Sequence, residues 1–164
     1  MIGEEIKASA RRPTNVLERI EAAIVARLAE QMPGRIDRIE AFSDLAADYD
    51  FGQKDRAAIF VQLSSSAYSA SDDAAAIRVY APHRTLTWSI YLLVRSIKGA
   101  QAGSLGSYEG IEEIRCALQG VSFCGATAMR PLGETLDAQV EGGWRWKLQF
   151  SNSIPAVSRP PMEH

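Results

Sequence analysis

Between Arg84 and Ile97 the chain reads RTLTWSIYLLVRSI, with no Gly, no Pro and no acid, and Leu86, Trp88, Ile90, Leu92 and Val94 recur at every second position. A period of two marks a β-strand with one face turned to a core. Thr85, Thr87, Ser89, Tyr91, Leu93, Arg95 and Ile97 make the other face amphipathic. Ordinary strands stop near about five or six residues. At roughly 3.3 Å per residue this run extends about 45 Å, against about 40 Å for a compact domain of this length. It must cross the domain or project from it, and a projecting ribbon would offer unpaired backbone groups to another subunit.

The period changes to 3.6 in PTNVLERIEAAIVARLAEQMPG, from Pro13, where Val16, Ile20, Ala23, Ile24 and Leu28 share a helical face. Asn15 with Glu18 fits an N-terminal capping pair, and Pro33-Gly34 stops the helix. SYEGIEEIRCALQG predicts a second helix with Ile111, Ile114 and Leu118 inward, Ser107 as cap and Gly120 as stop. RIDRIEAF (35–42) alternates as a short half-exposed strand. AAIFVQLSS alternates Ile59, Val61 and Leu63 with Phe60, Gln62 and Ser64, a strand buried mostly on one side.

IRVY (77–80) is a candidate short strand after the polar AYSASDDAAA segment, an exposed loop or hairpin tip covering 66–75. VSFCGATAMRPLGE is a weaker strand, softened by Gly125 and ended by Pro131. In GGWRWKLQFS, Trp144, Trp146, Leu148 and Phe150 form an apolar face opposite Arg145, Lys147 and Gln149. This order predicts an α+β domain, a mostly antiparallel sheet of four to five strands with two helices packed on one face. One domain is expected over 1–150, with 151–164 as an extended Pro-rich tail.

Composition narrows the function. The 164 residues are 46% hydrophobic and 23% charged with a formal net charge of -2, values of a soluble globular chain. The balance argues against a general nucleic-acid binder, which needs an excess of Lys and Arg. The start, MIGEEIKASARR, lacks the apolar core of a secretory signal, and the longest apolar run is too short to span a bilayer, so a cytoplasmic site of synthesis and no membrane partner are expected.

Candidate chemistry is sparse. Cys116 and Cys124 lack a metal-ligand spacing and are expected as small buried residues. His83, following Pro82 in a turn, has no spacing that joins it to either. The aspartates Asp44, Asp48 and Asp50 do not follow a calcium-loop pattern. GAQAGSLG and EGGW lack the context of a phosphate cradle. No catalytic, cofactor or metal site is therefore assigned. Tyr91, Leu93 and Arg95 on the second face of the long strand, with Arg145 and Lys147 on an expected neighbour, mix aromatic, apolar and cationic groups as subunit or partner interfaces do.

Taken in order, LAEQMPG, IEAF, AAIFVQLSSSAYS, RTLTWSIYLLVRSI, IRCALQGVSF and GGWRWKLQFS resemble the Mu-like bacteriophage tail-completion proteins, relatives of the lambda-type minor tail protein U or tail terminator, over about Val16 to Phe150. The resemblance implies a non-enzymatic virion protein at the head-proximal end of the tail. It would cap the tail tube as a homo-oligomeric, hexameric ring and contact the tail tube protein, the head-tail connector protein and the tape-measure protein. DNA would only pass through the lumen, where Asp44, Asp48 and Asp50 could line the wall. A connector or neck protein is the alternative, and a small cysteine-dependent enzyme a more remote one.

Overall fold

The computed structural model describes residues 15–32, 34, 36–42, 57–68, 83–95, 106–140 and 142–156. Among the described residues two helices, α1 (Val16–Gln31) and α2 (Ser107–Leu118), accompany five strands: β1 (Arg38–Ala41), β2 (Ala57–Tyr68), β3 (His83–Val94), β4 (Arg130–Val140) and β5 (Gly143–Pro155). The strands form one sheet in the order β1-β2-β3-β5-β4. Only β1 and β2 run parallel; every other neighbouring pair is antiparallel. The expected α+β class, with a mostly antiparallel sheet, is what the chain adopts.

The long run is the central strand. β3 pairs with β5 from His83↔Pro155 to Val94↔Trp144 and with β2 from Tyr68↔Arg84 to Ala57↔Val94. Both of its edges are therefore occupied, and the expectation that this strand offers unpaired backbone to another subunit is overturned. It also begins at His83, which is a strand residue and not part of a turn.

Leu86, Trp88, Ile90, Leu92 and Val94 are fully buried on one face. Against them pack Ile20, Ile24 and Leu28 of α1 and Ile114 and Leu118 of α2, joined by Ile59, Val61, Leu148 and Phe150 of the flanking strands. Burying each such side chain contributes about 1.5–3 kcal/mol. The helices are tied by Arg27, whose Nε donates to the Ala117 carbonyl at 3.0 Å. At the start of α1 the Asn15 side chain accepts from the Glu18 backbone N–H at 2.9 Å, the expected cap. Ser107 is not the cap of α2: Gly106 holds that position without a side-chain bond, and Ser107 is buried in the first turn. Gly120, at φ +78, ends α2; that left-handed conformation favours glycine.

Further expectations are corrected. β2 is buried on both faces from Ala57 to Val61, because Ala58 and Phe60 form a second small core with Leu93. The strand expected over 121–134 is displaced: Pro131 does not end it but lies at the start of β4, which continues through 135–140, while 121–129 contribute only an isolated bridge. Proline fits there because β4 is an edge, where the missing N–H faces no partner. Polar residues 151–155 do not leave the domain: they finish β5, with Ser151, Asn152 and Ile154 buried. Of the loop expected over 66–75, residues 66–68 belong instead to β2, where they pair with β3; its remainder, the IRVY segment and the chain beyond Ala156 lie outside the described residues.

The buried Asn152 explains why a polar stretch stays in the sheet. Its Oδ1 accepts from the Trp88 indole N–H at 3.0 Å, so the largest core side chain has a partner for its one polar group. Replacing Asn152 with alanine leaves that donor unpaired in the core. The expected loss is about 1–3 kcal/mol, read as a lower midpoint in denaturant unfolding; an unchanged midpoint would mean that the indole finds another acceptor.

Near the sheet edge Glu21 shows the opposite balance. Burial, and then the neighbouring Glu18 charge, raise its carboxyl pKa above the ordinary value. A raised folded-state pKa means that the folded protein binds the proton more tightly than the unfolded one, so stability rises as pH falls through the carboxylate range. Glu21→Gln should therefore raise the thermal midpoint at pH 7, with the gain disappearing once wild-type Glu21 is protonated. An equal gain at both pH values would assign it to packing.

Candidate functional site: the sheet face away from the helices

Pairing of β3 with β5 sets Tyr91 beside Lys147 and Leu93 beside Arg145. Because paired residues share a face, four of the five predicted interface residues come together on the side of the sheet opposite the helices. Arg95, exposed, follows at the bend after β3. Leu93 is 2% exposed and supports the patch from beneath, with Ala58 and Phe60.

The ring of Tyr91 is held by its neighbours. Phe42 packs on it with centroids 5.5 Å apart and meets Phe60 edge-on at 6.4 Å. The Tyr91 hydroxyl donates to Gln62 Oε1 at 3.4 Å, and the Arg145 guanidinium lies 5.9 Å from the ring centroid, within reach of a cation-π attraction. Arg145 Nε donates to Asp137 Oδ2 at 2.6 Å. Asp137 reaches it from a bulge in β4, between the Leu136 and Ala138 pairings. Lys147 is half-buried between Tyr91 and Thr135 in the register and has no ion pair among the described residues.

Towards the other end the same face becomes polar. Thr85 pairs with Ser153, Thr87 with Ser151, and Ser151 with Arg130 of β4. Thr85, Thr127, Arg130 and Ser153 line a shallow cavity of about 290 Å³. Between the two ends Ser89 is fully buried, and its Oγ has no hydrogen-bond partner. Phe42, Gln62, Arg130 and Asp137 belong to this surface but were not singled out from the sequence. Phe42 had a signal, since it shares the alternation of RIDRIEAF; Arg130 lay in a strand expected to end at Pro131, and Asp137 lay beyond that end.

The other candidates do not converge. Cys116 is exposed on α2 and Cys124 exposed in a turn at φ 51, so the expectation that both are buried is overturned. They are free thiols, and His83 stands apart at the start of β3. Asp44, Asp48 and Asp50 lie outside the described residues. Among the described residues no group of three or more His, Cys, Asp or Glu is placed to hold a metal ion, and no helix is long and apolar enough to cross a membrane. Trp144 and Trp146 are half-buried at the margin of the helix-side core, where Tyr108 of α2 meets Trp146 edge-on at 6.5 Å.

Tyr91, Arg145, Asp137 and Lys147 thus form one aromatic and charged patch on the side of the sheet opposite α1 and α2. No curated protein matches the chain. A family model described as "Gp37 protein" matches residues 24–164, a span that takes in every strand, α2 and half of α1. The chain belongs to the Gp37 protein family and is a bacteriophage protein of structural type.

Proposed function

We propose that this protein completes the phage tail: it closes on itself as a hexameric ring, caps the head-proximal end of the tail tube and presents its far face to the head-tail connector. The observation that carries the reading is the patch of Tyr91, Arg145 and Lys147, brought together on the face opposite α1 and α2 of a sheet with long central strands. Aromatic and arginine side chains of this kind are enriched where proteins bind one another. A contact between unlike surfaces generates a ring when its rotation closes, and polymerisation stops if the outer face cannot accept another layer of tube. In this reading Tyr91, Arg95, Arg145 and Lys147 contact a neighbouring subunit or the tube, with Leu93 beneath them. Asp44, Asp48 and Asp50 face the lumen, where like charge keeps DNA from adhering. The tape-measure protein sets where capping occurs.

The test combines the purified protein with its tail tube and tape-measure proteins and images the products by negative-stain electron microscopy. Tubes of uniform length bearing one terminal ring are expected; unbounded tubes with the protein left free would overturn the proposal. Lys147→Glu should preserve the thermal midpoint and raise the protein concentration needed for capping by about tenfold, the scale of one lost charge contact.

A further inference from the structure

Helix α1 reaches past the sheet that it covers. Its stripe of Ile20, Ile24 and Leu28 is buried on the core, while the adjacent stripe of Glu18, Glu21, Ala22 and Val25 faces an open groove of about 590 Å³ completed by Ile39 and Ala41 of β1. Among the described residues β1 is the outermost strand and pairs with β2 alone. Its outer backbone edge therefore borders the groove, and a further strand there would lie beneath the overhanging helix.

The two sheet edges differ in kind. β4 carries Pro131, Gly133 and two irregularities of register, features that obstruct pairing with another strand. β1 has no proline, glycine or bulge between Arg38 and Ala41. The groove also has a definite chemistry: half-buried Val25 and Ile39 give it an apolar floor, and exposed Ala22 leaves room above. Glu21 sits in it with no cation in ion-pair contact among the described residues, and burial and Glu18 disfavour its charge.

We propose that this groove receives an extended segment of a partner protein, which pairs with the free edge of β1, lays aliphatic side chains on Val25 and Ile39, and brings a lysine or arginine to Glu21. The segment is extended because a strand edge offers ladder hydrogen bonds. It is aliphatic because the floor is, and cationic because Glu21 lacks a counter-charge. The site is separate from the Tyr91 and Lys147 face and stands on the geometry of α1 and β1 alone, so it holds or fails independently of tail capping.

The experiment places a photoreactive benzoylphenylalanine at position 22, and in a second variant at position 26, in the full chain during phage assembly, and sequences the crosslinked peptides. The expected adduct is a segment of another virion protein in which aliphatic residues alternate and a Lys or Arg is present. Glu21→Lys in the same background should cut its yield by about tenfold. Adducts to this chain itself, within or between copies, adducts to segments without that pattern, adducts insensitive to Glu21→Lys, or no adduct at either position would overturn the proposal.

Discussion

The simultaneous pairing of β3 along both edges is the constraint on which the rest of the structure depends. A strand that is hydrogen-bonded on both sides can bury its backbone at no cost in unpaired groups, so its alternating side chains are free to form the floor of the core. Leu86 to Val94 then require a cover as long as themselves, and α1 and α2 supply it. The same length carries β3 beyond that cover at its His83 end. There the paired part of β2, Ser65 to Tyr68, is exposed, and the ribbon is held by polar contacts instead: Arg84 Nε donates to Ser66 Oγ at 2.7 Å, and its guanidinium lies 5.6 Å from the Tyr68 ring centroid.

Placing β3 at the centre moves the unpaired backbone to the two outermost strands, and their sequences treat it differently. On β4 the bulge that releases Asp137 from the ladder also delivers its carboxylate to Arg145. One irregularity thus disrupts an edge and fixes a cation on the face opposite α1 and α2. On β1 the parallel register is anchored at both ends, by the Asp37 N–H on the Ala57 carbonyl at 3.0 Å and the Phe42 N–H on the Val61 carbonyl at 2.8 Å. Phe42 then turns its ring onto Phe60 and Tyr91. A short edge strand thereby orders the aromatic end of the candidate surface.

Elements with one dominant period were legible in the sequence. Leu86 to Val94 alternated without interruption, Ile20, Ile24 and Leu28 recurred at helical spacing, and each face lies where its pattern put it. The part of β4 after Pro131 and residues 151–155 were not legible, for a common reason: their places in the sheet come from a neighbouring strand and not from their own hydrophobicity. Pro131 and Gly133 argue against a strand until β4 is known to be an edge, and Asn152 argues against burial until Trp88 is known to need an acceptor. The parallel sense of β1 was equally hidden, since direction leaves no mark on a four-residue alternation. Of the candidate surface, the pairing of Tyr91 with Lys147 depended only on β3 lying beside β5. Asp137 depended on a bulge that no pattern announces.

A net charge of -2 suggests an electrically bland molecule, but the fold separates the signs. The helical layer carries Glu18, Glu21, Glu30, Glu109, Glu112 and Glu113 against Arg19, Arg27 and Arg115, and the hydrogen bond from Arg115 to Glu112, at 2.6 Å, holds that carboxyl below its usual range. The opposite sheet face carries Arg38, Arg130, Arg145 and Lys147 against Glu40 and Asp137, the last bound to Arg145. Among the described residues the two faces therefore differ in the balance of their charges. Contacts that bring like faces together are repelled, and contacts between unlike faces are attracted.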